Sequence, residues 1–217
     1  MQIFSHGHAC FQIAATPAKN SQVRIVIDPY SEEIGLKLPK IEGDIVLSTH
    51  SHYDHNNIKA INGNPFVIEG PGEYEVKGVF VQGIPAWHDE KQGTLRGSNT
   101  IYTIDVEELR LCHLGDFGQA ELSSEQLEKI GDVDVLMIPV GGVYTIDAKG
   151  ALKIMSQIEP KITIPMHYGL PKLKVKLEAV DKFLKAVGIK ALEPEPKLSI
   201  KKKDISEEEA KVIVLKP

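Results

Sequence analysis

The stretch Ile45-Val46-Leu47-Ser48-Thr49-His50-Ser51-His52-Tyr53-Asp54-His55-Asn56 decides how this chain is read. It begins as an apolar, β-prone run inside a predicted strand over Asp44–Thr49, then sets three imidazoles and one carboxylate within six residues. Residues two apart on an extended chain project to the same side, so His50 and His52 are expected to share one cation. The turn after them aims Asp54 and His55 elsewhere, which implies two metal sites. The competing reading has Asp54 capping a short segment over Asn56–Ile61 and leaves the imidazoles without a task. Neutral imidazole beside carboxylate suits zinc first, with manganese or iron as alternatives because a His/Asp set discriminates poorly among them.

Upstream, Cys10–Ala15 and Gln22–Asp28 read as strands around a loop over Pro17–Ser21, and Pro29 stops the second. Downstream, strands are expected over Pro65–Glu69, Val79–Ile84, Asn99–Asp105 and Leu109–His113, with a hairpin turn at Asp105–Glu108. After Asp116 the character changes. Ser123-Ser124-Glu125-Gln126 opens a capped helix to about Ile130, and Asp132–Pro139 follows as a buried strand. Helical spacing over Asp147–Ile158, a strand over Lys161–His167 and a helix over Leu177–Val187 lead to strands over Leu198–Lys202 and Lys211–Leu215. Strands first, then strand and helix in alternation, point to an α+β fold. Two mixed sheets between outer helices fit it better than one doubly wound sheet.

With 217 residues, 42% hydrophobic and 25% charged, the chain is expected to form a single domain over residues 1–217 with an ordinary core. A net charge of −5 leaves no footprint for nucleic acid, so an anionic substrate has to be attracted locally. The lysines from Lys172 to Lys190 read as a solvated helix face rather than an anion-binding rim. Cys10 and Cys112 match no zinc or redox spacing, which makes a reducing compartment the default. Met1-Gln2-Ile3-Phe4-Ser5-His6 has no basic region leading into an apolar one, and no run approaches 18 apolar residues. A cytoplasmic protein acting on a small molecule, without membrane or nucleic-acid partner, is expected; a homo-oligomer is compatible with all of this.

The HxHxDH pattern after a buried strand resembles the first metal motif of the metallo-β-lactamase superfamily, and the resemblance runs in order along almost the whole chain. It implies a four-layer αββα sandwich with metal ions at one sheet edge. His88, in Pro85-Ala86-Trp87-His88-Asp89, resembles the family's third histidine and would complete a site with His50 and His52. Gly93, Gly97 and Asn99 fill the place of a glycine-rich stretch after it. His113 is a rival for that role, although alternation sends it to the side of Gly115, into the core or behind the ligands. Asp116, in Leu114-Gly115-Asp116-Phe117-Gly118, resembles the carboxylate that bridges both ions. His167 resembles the last ligand and would join Asp54 and His55, with Tyr168 next to it expected beside substrate or behind the ligands. Gly7-His8-Ala9-Cys10-Phe11 and Ile27-Asp28-Pro29 are similar to small metal-dependent hydrolases of the ascorbate-lactonase-like kind. That implies His8 at the pocket border and Asp28 orienting a ligand histidine through its free ring nitrogen.

Two dications about 3.5–4 Å apart can share a hydroxide, because a metal lowers the pKa of bound water to roughly 7. Hydrolysis of an ester, lactone, phosphodiester or amide is the expected reaction, with Asp116 between the ions and Asp54 or a metal-bound water as the proton donor. A di-iron redox enzyme is disfavoured, because His52 stands where the oxygen-reducing branch is expected to carry glutamate. A metal-binding protein without turnover is the other alternative, since ligands alone do not make an open coordination position. Between Asp116 and His167 no long insertion adds a nuclease or flavodoxin-like domain. Substrate choice is expected to rest on the loops Glu69–Gly78, Asp89–Ser98 and Gly141–Ile146.

Overall fold

The computed structural model describes residues 1–18, 21–206 and 209–217. In chain order its strands are β1 (Gln2–Gly7), β2 (Cys10–Ala18), β3 (Ser21–Ile27), β4 (Ile41–Glu42), β5 (Ile45–Leu47), β6 (Ile61–Asn62), β7 (Phe66–Ile68), β8 (Gly72–Val76), β9 (Val79–Trp87), β10 (Ser98–Val106), β11 (Leu109–His113), β12 (Val135–Pro139), β13 (Ile162–Met166), β14 (Leu198–Ser199) and β15 (Lys211–Val212). The helices are α1 (Ser124–Ile130), α2 (Ala148–Ile158) and α3 (Val180–Ala186). Among the described residues, one sheet runs β14-β1-β2-β3-β5-β7, a second runs β15-β13-β12-β11-β10-β9-β8, and β4 pairs with β6.

Register explains the core. Ile25 pairs with Ile45, and Leu47 sits between Ile27 and Ile68, so one parity of the first sheet faces inward as a continuous apolar surface. It meets Val81, Tyr102, Ile104, Leu111, Met137 and Ile164 of the second sheet. Each such fully buried aliphatic side chain contributes about 1.5–3 kcal/mol relative to exposure. The opposite parity of β11, β12 and β13, with Cys112, Leu136 and Ile138, is buried again under Ile130, Ala151, Ile154, Phe183 and Leu184 from the three helices. Strands buried on both faces are the reason that Val135–Pro139 and Ile162–Met166 read as unbroken apolar runs.

The outer face of the first sheet is covered differently. Cys10, Val26 and Val46 pack under Tyr30, Ile34, Leu38, Ile41 and Ile61. Those residues come from loops, the single 3-10 turn Glu32–Ile34 and the short strands β4 and β6, rather than from an α-helix.

Capping sets the helix starts. The Ser123 side chain accepts from the Gln126 amide while Gln126 reaches back to the Ser123 amide, and Asp147 accepts from Lys149 and Gly150. Helix α3 begins at Val180, three residues later than its apolar spacing suggested, because the Glu178 backbone is already engaged. Its N–H donates to Gly141 O at 2.8 Å and its carbonyl accepts from the Gly169 amide at 2.8 Å. Lys172, Lys174 and Lys176 precede both the expected and the observed helix start, so they do not decorate its solvated face.

Glu107 and Glu108, at φ 54° and 62°, form the tight turn expected between β10 and β11. Residues 72–76, read from the sequence as part of a loop, are strand β8, joined to β9 through Lys77 and Gly78 at φ 54° and 76°. Alternating glutamates made that strand look like a loop; it is the open edge of its sheet, where charged residues suit it. Of the loop expected over Pro17–Ser21, Pro17 and Ala18 extend β2 and Ser21 begins β3, while Lys19 and Asn20 lie outside the described residues.

Candidate metal centre

The chain after β5 leaves the sheet and turns sharply, and Ser48 organises the turn by donating from Oγ to His50 O at 2.9 Å and His55 O at 3.2 Å. His50 and His52 come together with ring centroids 4.6 Å apart. A run of bends achieves this, not the extended alternation expected from the sequence. His88 directly follows β9, Asp116 lies three residues beyond β11, His167 directly follows β13, and His8 occupies the turn between β1 and β2. Strand ends from both sheets thus deliver ligand-type side chains to one edge.

The side chains fall into overlapping groups whose nitrogen and oxygen atoms lie within 4.8 Å of one another: His50, His52 and His88; His8, Asp54, His55 and His167; and His50, His55 and Asp116. Asp116 Oδ2 lies 3.2 Å from His88 Nε2, 3.2 Å from His167 Nε2 and 4.0 Å from His50 Nε2, while Oδ1 lies 3.3 Å from His55 Nε2. The carboxylate expected to bridge stands between the two histidine groups. Asp54 Oδ2 lies 3.7 Å from His55 Nε2 and 3.1 Å from His8 Nε2, so His8 joins the cluster itself rather than only bordering it.

A layer of polar residues fixes these side chains. Asp28, wholly buried, accepts from the Thr49 amide and hydroxyl, each at 2.8 Å, and lies 2.9 Å from His55 Nδ1. With Nδ1–H directed at a carboxylate, His55 turns its Nε2 into the cluster. Thr49 Oγ1 also stands 3.0 Å from His50 Nδ1. Asn99 accepts from the Asp116 amide at 3.0 Å and donates to Leu114 O at 2.8 Å. Gly115, at φ 57°, leaves room for this contact; a Cβ there would stand 2.3 Å from Asn99 Oδ1.

His113 points away. Its Nε2 lies 3.0 Å from Ala9 O, its Nδ1 accepts from the Gly115 amide at 3.1 Å, and its ring meets Phe11 edge-on. Between His88 and His113, only His88 reaches the cluster. Tyr168, expected beside substrate or behind the ligands, is buried in the apolar layer beneath the helices and does not line the cavity. Gly93, Gly97 and Asn99 do not form one glycine-rich ligand loop. The carboxylate of Asp89 organises that segment, accepting from the amides of Lys91, Gly93, Leu95 and Arg96. Ser48, Thr49 and Asp89 were missed as site residues, though Thr49 and Asp89 directly precede and follow His50 and His88 in the sequence.

The electrostatics suit cations. Burial, reinforced by neighbouring imidazoles, pushes His50 down to about 3 and His8 down to about 4, so both present neutral nitrogens. Burial opposes ionisation of Asp116, yet His167 and His55 beside it hold the carboxyl well below its ordinary range. Burial likewise opposes protonation of His55, and Asp116 with Asp28 overcomes it, raising that group well above its usual value. The centre of the cluster therefore draws positive charge. His50 Nε2, His55 Nε2 and Asp116 Oδ1 are buried without any hydrogen-bond partner. Buried unpaired donors and acceptors cost about 1–3 kcal/mol each, so three converging on one point fit a site built for metal ions.

The cluster forms the floor of a cavity of about 810 Å³. His52, Asp54, His88, Asp116 and His167 reach it, and Tyr53, Arg96, Tyr144, Lys174 and Lys176 are among its walls. No helix among the described residues is long and apolar enough to cross a membrane.

The model of the β-lactamase superfamily domain matches residues 2–167. A metal-dependent hydrolase of Thermococcus onnurineus is 30% identical over 216 residues, covering 85% of this chain and 91% of the relative. A crystal structure from Thermotoga maritima, provisionally described as a Zn-dependent hydrolase of the metallo-β-lactamase superfamily, shares 35% identity at a TM-score of 0.79, covering 99% of this chain and 97% of the other. The diiron β-hydroxylase CmlA of Streptomyces venezuelae superposes with a TM-score of 0.63 at 16% identity, over 92% of this chain and 54% of its own, a likeness of fold alone. By its matched domain, its sandwich of two sheets and its relatives, the chain belongs to the metallo-β-lactamase superfamily, among the metal-dependent hydrolases.

Proposed function

We propose that the protein hydrolyses a small cytoplasmic molecule at an ester, lactone, phosphodiester or amide bond, using two divalent ions, zinc foremost. His50, His52 and His88 would hold one ion, Asp54, His55 and His167 the other, and Asp116 would touch both. The observation that carries this reading is the convergence of His50 Nε2, His55 Nε2 and Asp116 Oδ1, buried and unpartnered, beneath an open cavity. Divalent ions bound there supply Lewis acidity and a water acidic enough to ionise near neutral pH.

The chain's own residues do the rest. Asp28 and Thr49 set the ring orientations of His55 and His50, so the donor set is formed before any ligand arrives. Asp54 faces the cavity and lies 3.1 Å from His8 Nε2, a pair able to hold and pass on the proton that the leaving group requires. The walls of the cavity orient the scissile bond over that pair.

Plasma mass spectrometry on the purified protein and on His52→Ala, beside a panel of chromogenic esters, lactones and phosphodiesters, tests the proposal. Close to two ions per chain, falling sharply in the variant, with turnover of a panel member, is the expected result. Less than half an ion, none regained on adding zinc, manganese or iron, would overturn it.

A further inference from the structure

Three cations face the cavity over the metal centre: Arg96, Lys174 and Lys176. In a chain of net charge −5 this is a local reversal of sign. With the buried ligand cluster set aside, Glu33 is the one carboxylate among the lining residues, and none of the three cations is in an ion pair among the described residues. Elsewhere on the surface Lys129, Lys153, Lys182 and Lys202 each have an acidic partner.

Arg96 is held in place, and so is the backbone at Lys174. Lys174 and Lys176 lie on the bent, non-helical segment before α3 that lines the cavity, and the Lys174 amide is pinned to Ile34 O at 2.7 Å. Arg96 is fixed at both ends. Its backbone amide donates to Asp89, 2.8 Å away, in the same knot that binds three other amides. Its guanidinium lies over the Tyr144 ring at 5.1 Å, and Nη2 donates to Val143 O at 3.4 Å. Val143 supplies that carbonyl from φ 62°, a strained conformation that a β-branched residue rarely adopts. Val143 is 60% exposed, so no burial of its own side chain offsets the strain. A guanidinium fork pre-set in this way matches the planar or tripodal oxygens of carboxylate, phosphate or sulfonate.

We propose that the cavity selects substrates carrying an anionic group, which Arg96, Lys174 and Lys176 hold while the metal centre acts on a neighbouring bond. This rests on the hydrolase reading above for the reaction and specifies its substrate class. The loop Gly141–Ile146 then acts in recognition through Arg96: Tyr144 and the Val143 carbonyl aim the guanidinium.

The test uses metal-loaded protein and two inert probes of similar shape, benzenesulfonate, which is anionic, and methyl phenyl sulfone, which is neutral. Binding is measured by calorimetry or saturation-transfer NMR on the parent, on Arg96→Gln and on the triple variant Arg96→Gln, Lys174→Gln, Lys176→Gln. These side chains are not buried, and circular dichroism checks that each variant keeps its fold. Benzenesulfonate should bind the parent at least tenfold more tightly than the triple variant, with the difference shrinking as salt rises, while the sulfone binds both alike. Equal binding of benzenesulfonate to parent and triple variant, or no binding to the parent at 10 mM or so, would overturn the proposal. Phenyl acetate turnover by the parent is followed in parallel. Its absence with anion binding intact counts against the hydrolase reading alone, and its presence with anion binding unchanged by the substitutions counts against the anion proposal alone.

Discussion

Asp28 Oδ2 lies 2.9 Å from His55 Nδ1 while the same carboxylate accepts from both the amide and the hydroxyl of Thr49, so one buried aspartate aligns two consecutive parts of the metal motif. Asp28 itself is held at φ 49°, where Pro29 follows and the chain leaves β3. Its carboxyl is kept ionised despite complete burial because His55 lies against it. Asp28→Asn keeps the shape but loses the charge. Metal affinity, read by competition with a chromophoric chelator, should fall about 10–100-fold with the fold retained. Unchanged affinity would show that Thr49 alone orients the motif.

Among the described residues, Asp116 is the one carboxylate within reach of both histidine groups. Asp116→Ala should lower turnover of an active panel ester by at least about 100-fold and reduce metal content, measured on protein whose circular dichroism matches the parent. Retained activity would remove Asp116 from the reaction.

His88 and His113 separate by experiment. His88→Ala should lose close to one ion per chain by plasma mass spectrometry. His113→Leu leaves Ala9 O and the Gly115 amide without partners inside the core and should cost about 2–4 kcal/mol in denaturant unfolding, at parental metal content in the folded fraction. A metal loss in His113→Leu equal to that in His88→Ala would contradict the assignment.

The Asp89 knot is expected to hold the loop that carries Arg96. Asp89→Ala removes the acceptor of four amides. Amide exchange at Lys91, Gly93, Leu95 and Arg96 should accelerate by at least about tenfold, as each of these amides loses its charged acceptor. Exchange that stays slow would mean that the Gly93–Gly97 and His88–Gly97 backbone bonds suffice.

A pH prediction concerns Asp44, which accepts from the Arg24 amide at 2.9 Å and pairs with Lys77 Nζ at 2.7 Å, tying β3 to the β8–β9 turn. Burial would raise its carboxyl, but Lys77 and Arg24 hold it below the usual range. A depressed folded value means that its stabilisation is complete above the unfolded value near 3.9 and disappears as pH falls through the lower folded one. Asp44→Asn should therefore be less stable than the parent by about 1 kcal/mol at neutral pH, and the gap should close below about pH 4. A gap that persists at pH 2 would show that shape rather than charge is responsible.

Much of this molecule was legible in its residues because the signals were local. An apolar run before HxHxDH, a Ser123–Gln126 capping pattern and strands buried on both faces each depend on neighbours a few positions apart. The metal-motif residues and their order along the chain were readable for the same reason, with the family resemblance supplying which single histidines to expect. Tertiary structure decided the rest. His8 and Asp54 are 46 residues apart, and only the packing of the β1–β2 turn against the metal loop brings them to 3.1 Å. His88 and His113 both end strands of one sheet, and the direction each side chain takes separated them. Lys174 and Lys176 became cavity walls because the non-helical segment that carries them is tied across the fold, the Lys174 amide to Ile34 O and the Glu178 backbone to Gly141 and Gly169. Side-chain periodicity and capping act through adjacent covalent geometry and can be read along the chain, whereas which strand ends meet at one edge follows from sheet order and register, set by burial across the whole core.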